Sequence, residues 1–169
     1  NFFMDIQSEE ADIASIPWLR RAAEKGCKWA QYQMGLAYQQ GMGVTKNLKK
    51  SMLYYQLSAE QGYDSAQLNL GIIYANLPGD EQDLELAVKL YRRSARQGNS
   101  NACYNLAYYY DSGCYYKQNQ RLSFKWYYRA AELGDCEAQR IVGYYLHCGI
   151  GIKQDLERSA YWYQRAAIY

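Results

Sequence analysis

The sequence predicts an all-α fold, a solenoid of four two-helix repeats preceded by one further helix, and three observations carry that prediction. The chain is similar to itself at a spacing of 36 residues: a turn residue recurs as Gly26, Gly62, Gly98 and Gly134. An alanine three residues earlier recurs as Ala23, Ala59, Ala95, Ala131 and Ala167, and one that opens the next helix as Ala30, Ala66, Ala102 and Ala138. A period in the range of roughly 20–50 residues marks stacked supersecondary units, because one unit cannot bury its apolar face alone. The second observation is helical patterning. Ala30, Met34, Ala37 and Tyr38 fall at i, i+4, i+7 and i+8, one face of a helix, and the pattern returns as Ala66, Leu70, Ile73 and Tyr74. It returns again as Ala102, Leu106, Tyr109 and Tyr110, then as Ala138, Val142, Tyr145 and Leu146. The third is the near absence of proline, 2 in 169 residues, which suits a chain that is almost all helix because an interior proline costs about 3 kcal/mol.

Residues 1–11 match no repeat and read as a linker or an appended remnant; the solenoid is expected over residues 12–169 as a single domain. The segment from Asp12 to Lys25 matches the second half of a repeat, with Ser15 as a cap and Pro17 tolerated in the first turn of a helix over 16–25. Four repeats follow, each with a first helix A, a tight loop and a second helix B. The A helices are expected over 28–40, 64–76, 100–112 and 136–148, and the B helices over 48–61, 84–97, 121–133 and 156–168. Asp64, Asn99 and Asp135 stand where a side chain can cap the free N–H groups of an A helix. Gly62, Gly98 and Gly134 stand where a B helix needs a left-handed residue to end.

The A-to-B loops are Gly41-Met42-Gly43-Val44, Leu77-Pro78-Gly79-Asp80, Gly113-Cys114-Tyr115-Tyr116 and Gly149-Ile150-Gly151-Ile152. Two keep paired glycines and two have drifted. No strand precedes these glycines and no Lys-Ser/Thr follows, so they are turns rather than phosphate loops. Gly35, Gly71, Ala107 and Gly143 keep one side of helix A thin for the close approach of helix B. Trp18, Tyr54, Leu90, Trp126 and Trp162, each followed by Leu or Tyr, are the bulky partners expected on the B side.

With 19 basic and 17 acidic residues the formal net charge is +2, which makes no electrostatic case for nucleic acid or an anionic membrane as partner. No run of 18 apolar residues exists to span a bilayer. The chain opens on Asn1 and stops one residue before the next turn glycine would fall due, so both ends read as cut edges.

The pattern A-x-x-x-L-G-x-x-Y-x-x-G-x-G-V, followed by W-Y-x-x-A-A-E-x-G, resembles the Sel-one-like repeat family, relatives of the tetratricopeptide repeats. "AQYQMGLAYQQGMGV" and "AQLNLGIIY" are similar to its first helix, "KWYYRAAELGD" and "YWYQRAA" to its second. The likeness runs from about Asp12 to Tyr169 and repeats four times in phase; only the second and third A-to-B loops depart from it. The expectation is therefore an all-α, right-handed α/α superhelical solenoid. The resemblance implies a bacterial protein-binding scaffold without enzymatic activity or cofactor. It also implies that the A helices line the concave side.

A partner-binding stripe follows at the outward A positions. These are Trp29, Gln33 and Leu36; Asn69, Ile72 and Asn76; Asn105 and Tyr108; Ile141 and Tyr144. Amides such as Asn69 and Asn105 suit an extended peptide backbone, and Trp29, Tyr108 and Tyr144 suit anchoring of side chains. Some members of the family are immunity proteins that block secreted antibacterial toxins, which is the sharper version of this reading. A cysteine-rich branch has been linked to β-lactam hydrolysis, and a glycan-binding envelope protein is the third class. Against an enzyme stand a single histidine, His147, the absence of an S-x-x-K motif and the lack of a nucleophile–base pair. Glu24, Glu60 and Glu132 recur at the helix-end motif and read as a structural hydrogen bond or a solvated face rather than a catalytic pair. The five cysteines form no C-x-x-C pair or zinc spacing, and none takes the helix-B position used by the cysteine-rich branch. They read as free buried thiols, with one bridge, Cys114–Cys148, as the alternative, because stacked repeats bring those helix ends near each other.

Overall fold

The structure, a computed structural model, describes residues 15–79 and 82–168. Among them are nine α-helices and no strand: α1 over 15–24, α2 Lys28–Gln40, α3 Leu48–Glu60, α4 Asp64–Asn76, α5 Leu84–Arg96, α6 Ser100–Ser112, α7 Gln120–Glu132, α8 Cys136–Cys148 and α9 Leu156–Ala166. The four A helices (α2, α4, α6, α8) have the expected bounds, and each B helix (α3, α5, α7, α9) lies within a residue or two of its expected ends. The segment 1–11 read as a linker lies outside the described residues. Ser15 is already helical, so it is not the cap of α1.

Local chemistry sets these boundaries. Three of the B helices, α3, α5 and α7, end on a glycine with positive φ, at 82° for Gly62, 92° for Gly98 and 95° for Gly134. Gly62 N donates to Ala59 O and Tyr63 N to Ser58 O, the paired bonds of a Schellman motif, and the same pair closes α5 and α7. At the A helices, Asn99 and Asp135 accept from Ala102 N and Ala138 N as expected. Asp64 does not cap: the cap position is Tyr63, and Asp64 lies in the first turn, where its charge suits the helix N-terminus. The B helices carry a cap series that the sequence reading missed. Asn47, Asp83, Asn119 and Asp155, themselves 36 residues apart, each accept from the backbone N–H three residues on. The drifted loops each keep one half of the glycine pair: Gly79 (φ 56°) in the second and Gly113 (φ 72°) in the third.

The described helices fall into two compact units, Asn1–Glu81 and Gln82–Tyr169. In the first, α3 packs on α2 and α4. Ile16, Ala23, Ala30, Met34, Ala37 and Tyr38 form a buried core there, with Leu19, Val44 and Tyr54 against it. In the second, α5 packs on α6, α6 on α7, α7 on α8 and α8 on α9. Its centre is Ala102, Leu106, Ala130, Ala131, Ala138, Val142 and Leu146, all without solvent exposure.

The thin side of helix A faces a tyrosine. A Cβ on Gly35 would lie 2.6 Å from the Tyr55 ring, and one on Gly143 would lie 2.9 Å from Tyr163. The residue that fills this space is thus the one after the bulky position named from sequence. At the bulky position itself Leu90 and Trp162 are buried and Tyr54 and Trp126 half-buried, but Trp18 is 70% exposed. The reason is visible in α3, where Tyr54 stacks on Tyr38 of its own hairpin at 5.7 Å. No A helix precedes Trp18 among the described residues.

One buried polar series joins the repeats. Gln31, Gln67 and Gln139 donate Nε2 to the carbonyls of Ala23, Ala59 and Ala131 at 3.2, 3.1 and 3.2 Å. Cys103 holds the fourth such place, its Sγ 4.0 Å from Ala95 O. Each donor lies on an A helix and reaches the end of the preceding B helix. The carbonyl it meets already accepts from the turn glycine in all four cases, and in the three glutamine cases its second lone pair is used as well.

Candidate partner-binding surface

In the first unit, the outward positions of α2 are Trp29, half exposed, and Gln33 and Leu36, half-buried. On α4, Ile72 and Asn76 are exposed, and Asn76 Nδ2 donates to the Ile72 carbonyl at 2.7 Å. Asn69 is half-buried and its amide is in use: Nδ2 donates to the Tyr55 hydroxyl at 3.2 Å, and that hydroxyl donates to Gln39 Oε1 at 2.6 Å. Burial raises the Tyr55 pKa to about 12, the Asn69 hydrogen bond pulling weakly the other way. The Asn69 amide is therefore already engaged within the protein, by Tyr55 and by Tyr32.

In the second unit, Asn105 and Ile141 are half-buried while Tyr108 and Tyr144 expose 53% and 50% of their surfaces. A hydrogen bond links their helices: the Tyr145 hydroxyl of α8 donates to the Asp111 carboxylate of α6. Burial and that hydrogen bond both raise the Tyr145 pKa, and Ser123 Oγ is 3.3 Å from the same hydroxyl. The Tyr108 ring meets Tyr109 edge-on at 5.9 Å, so it is braced by a buried neighbour. Tyr144 stands beside Cys148, whose side-chain hydrogen bond raises its pKa.

Sequence reasoning missed two rings that widen these stripes. Tyr32 and Tyr104 are half-buried, one position before Gln33 and Asn105. Tyr32 packs 5.0 Å from Tyr63, and Tyr104 5.3 Å from Tyr127. Their signal was available: Tyr104 and Tyr108 stand four residues apart, on one helix face.

All five cysteines are free thiols, so the Cys114–Cys148 bridge is not formed in this structure. Only Cys103 is buried, which corrects the reading of the set as buried thiols; burial raises its pKa. Cys114 instead accepts from Ser112 Oγ at 3.0 Å. His147 is exposed, and its carbonyl accepts from Gln154 Nε2. Among the described residues there is no group of three or more His, Cys, Asp or Glu placed to hold a metal ion, and no helix long and apolar enough to cross a membrane.

Helical hairpins repeated at one period, closed by glycine caps and bearing aromatic and amide stripes on their first helices, define a repeat scaffold. The Sel1 repeat family model matches residues 15–27, 30–63, 64–99, 100–135 and 136–168. The chain belongs to the Sel1 repeat family, whose members are generally non-catalytic scaffolds for protein interactions.

Among solved structures it is similar to a Sel1 repeat protein from Oxalobacter formigenes, with 31% identity and a TM-score of 0.88 over 93% of this chain and 64% of that one. It is also similar to a protective antigen with the SLR fold found in uropathogenic Escherichia coli strains, with 33% identity and a TM-score of 0.86 over 92% of this chain and 33% of that one. An immunity protein from Pseudomonas aeruginosa shares the fold at 17% identity, with a TM-score of 0.54 over 90% of this chain and 72% of that one. The chain thus spans just under two thirds and one third of the first two structures. No curated protein matches the sequence.

Proposed function

We propose that this chain is a bacterial, non-enzymatic scaffold that binds a protein or peptide partner through the outward stripes of its A helices, on the concave face of the solenoid. The observation that carries the reading is the pair Tyr108 and Tyr144. Both rings are half exposed on successive A helices, in a unit whose core alanines and leucines are fully buried. Large aromatic rings that are already held in place lose little conformational entropy on binding, which is why such residues dominate interface energetics. Asn105, half-buried on the same helix as Tyr108, brings an amide that can both donate to and accept from a peptide backbone. The family membership and the bacterial sources of the similar structures support the same class. The immunity version draws on a structure sharing only the fold, so no observation here favours it over other protein partners.

The test is affinity capture from the native host with the wild type and a Tyr108→Ala/Tyr144→Ala double variant, with captured proteins identified by mass spectrometry. One partner held by the wild type and lost from the variant, with an unchanged melting temperature, is the expected result. Equal capture by both proteins would remove the stripe from the interface. A large fall in melting temperature would show that the two rings serve the core.

A further inference from the structure

A cavity of about 730 Å³ opens in the second unit, on the B-helix side and away from the A stripes, between α7, α9 and the loop joining α8 to α9. Four cations surround it: Arg121 and Lys125 one turn apart on α7, Lys153 from the loop and Arg158 in the first turn of α9. Its apolar part is Leu122, Phe124 and Ile152, and the Tyr128 ring lies beneath the Arg158 guanidinium at 5.7 Å. The loop is pressed onto the start of α7: a Cβ on Gly151 would fall 2.5 Å from the Gln120 carbonyl.

The positive charge is not neutralised from within. The two ion pairs among the described residues are Lys89–Glu85 and Arg140–Glu137, and neither involves the cavity. The first turn of α7 holds no acidic residue, so Arg121 adds to the positive end of that helix instead of offsetting it. The nearest carboxylates on α9 are Asp155, which caps Arg158 N, and the exposed Glu157.

The repeat supplies a control. Between α1 and α3 the corresponding place is again a cavity, of about 310 Å³, lined by Arg20, Lys46, Lys50 and Val44. Lys50 and Val44 precede Arg158 and Ile152 by three periods, 108 residues. In the repeat between them and α9, the place is filled by the chain itself. Tyr116, 36 residues before Ile152, stacks on Tyr110 at 4.5 Å and lies under the Arg92 guanidinium at 5.3 Å. Arg92 also donates to the Tyr110 hydroxyl at 3.3 Å. An aromatic ring with its electron-rich face under a guanidinium is therefore what this niche accepts, and the fourth repeat, with Ile152 in place of a tyrosine, leaves both the space and the cations to a ligand.

We infer that this cavity is a second docking site, for an acidic segment of a protein partner carrying an aromatic side chain between carboxylates. The ring takes the place that Tyr116 takes one repeat earlier, and the flanking carboxylates meet Arg121, Lys125, Lys153 and Arg158. The volume falls in the range of ligand-binding clefts, roughly 300–1,000 Å³, which is room for an aromatic side chain.

The test is fluorescence anisotropy of the full chain with a labelled Asp-Glu-Phe-Glu-Asp peptide, at low and high salt. Saturable binding is expected, weakening with salt as exposed charges are screened. The Arg121→Gln/Lys125→Gln double variant should weaken it at least about tenfold, the scale expected when two close charge partners are removed. Arg158→Gln and a peptide with Asn and Gln for the acids should weaken it likewise, with far-UV circular dichroism unchanged. Tyr108→Ala/Tyr144→Ala should leave this affinity as it is, which separates the site from the A stripes. The proposal is overturned if the wild type does not bind the peptide, or if the amide peptide or the double variant binds equally well. It is also overturned if inorganic phosphate displaces the peptide at equal concentration, which would mark a site for small anions.

Discussion

Gln139 and Cys103 occupy one place in two repeats, and comparing them isolates what a buried amide contributes. Gln139 donates to the Ala131 carbonyl at 3.2 Å, while the Cys103 thiol stands 4.0 Å from Ala95 O and is a weak donor. Gln139→Ala should cost about 1 kcal/mol net: the lost bond and the void left in a packed interior outweigh the relief of Gln139 Oε1, which is buried without a partner among the described residues. Cys103→Ala should cost distinctly less. Urea denaturation followed by circular dichroism would check both, and equal losses would show that the seam depends on volume alone. The series was present in the sequence as Gln31, Gln67 and Gln139, each following a helix-opening alanine. It went unread because a polar residue next to an apolar stripe looks like surface until the preceding helix end is placed over it. Asn69 shows the same limit: its outward register is legible, but the loss of its amide to the Tyr55 hydroxyl depends on a side chain from another helix.

At the scale of the element, the caps and glycines make boundaries legible because they act within a few residues of chain. Asn119 accepts from Leu122 N at 3.0 Å, and Asn119→Ala should lower stability by about 1 kcal/mol, read as a shift in denaturant midpoint at constant slope. How helices A and B meet is a different matter, since it depends on which of two adjacent bulky residues turns inward. Gly35 and Gly143 test it. Alanine at either gains about 1 kcal/mol of helix propensity over glycine. At Gly35 the new methyl would meet the Tyr55 ring at 2.6 Å, and that ring is fully buried and held by Gln39. Overpacking of about 1–3 kcal/mol should win there, so Gly35→Ala destabilises. At Gly143 the obstacle is Tyr163 at 2.9 Å, which is exposed and free to swing out. Gly143→Ala should therefore be close to neutral; if its denaturant midpoint falls as far as that of Gly35→Ala, the exposed ring is as constrained as the buried one.

At the scale of the molecule, the 20 tyrosines that the sequence offered as core and surface alike become a coupling between protonation and folding. Burial pushes the Tyr55 hydroxyl up to about 12 from an ordinary value of 10.0, and pushes Tyr91, Tyr127 and Tyr145 further in the same direction. A hydroxyl that keeps its proton in the folded chain after the unfolded chain has lost it binds the extra proton on the folded side. Stability from these groups is thus complete below about pH 10 and drains away as the pH rises through the folded-state values. Tyrosinate absorbance from the buried rings and loss of helical circular dichroism should consequently rise together in one alkaline transition. Tyr127→Phe keeps the ring and its packing and removes the proton. It should leave stability at neutral pH within about 0.5 kcal/mol and move the alkaline midpoint upward. A midpoint unmoved by Tyr127→Phe, or buried-ring ionisation well ahead of the loss of helix, would show that the rings reach solvent without unfolding. Their burial would then not be what limits the alkaline stability of the array.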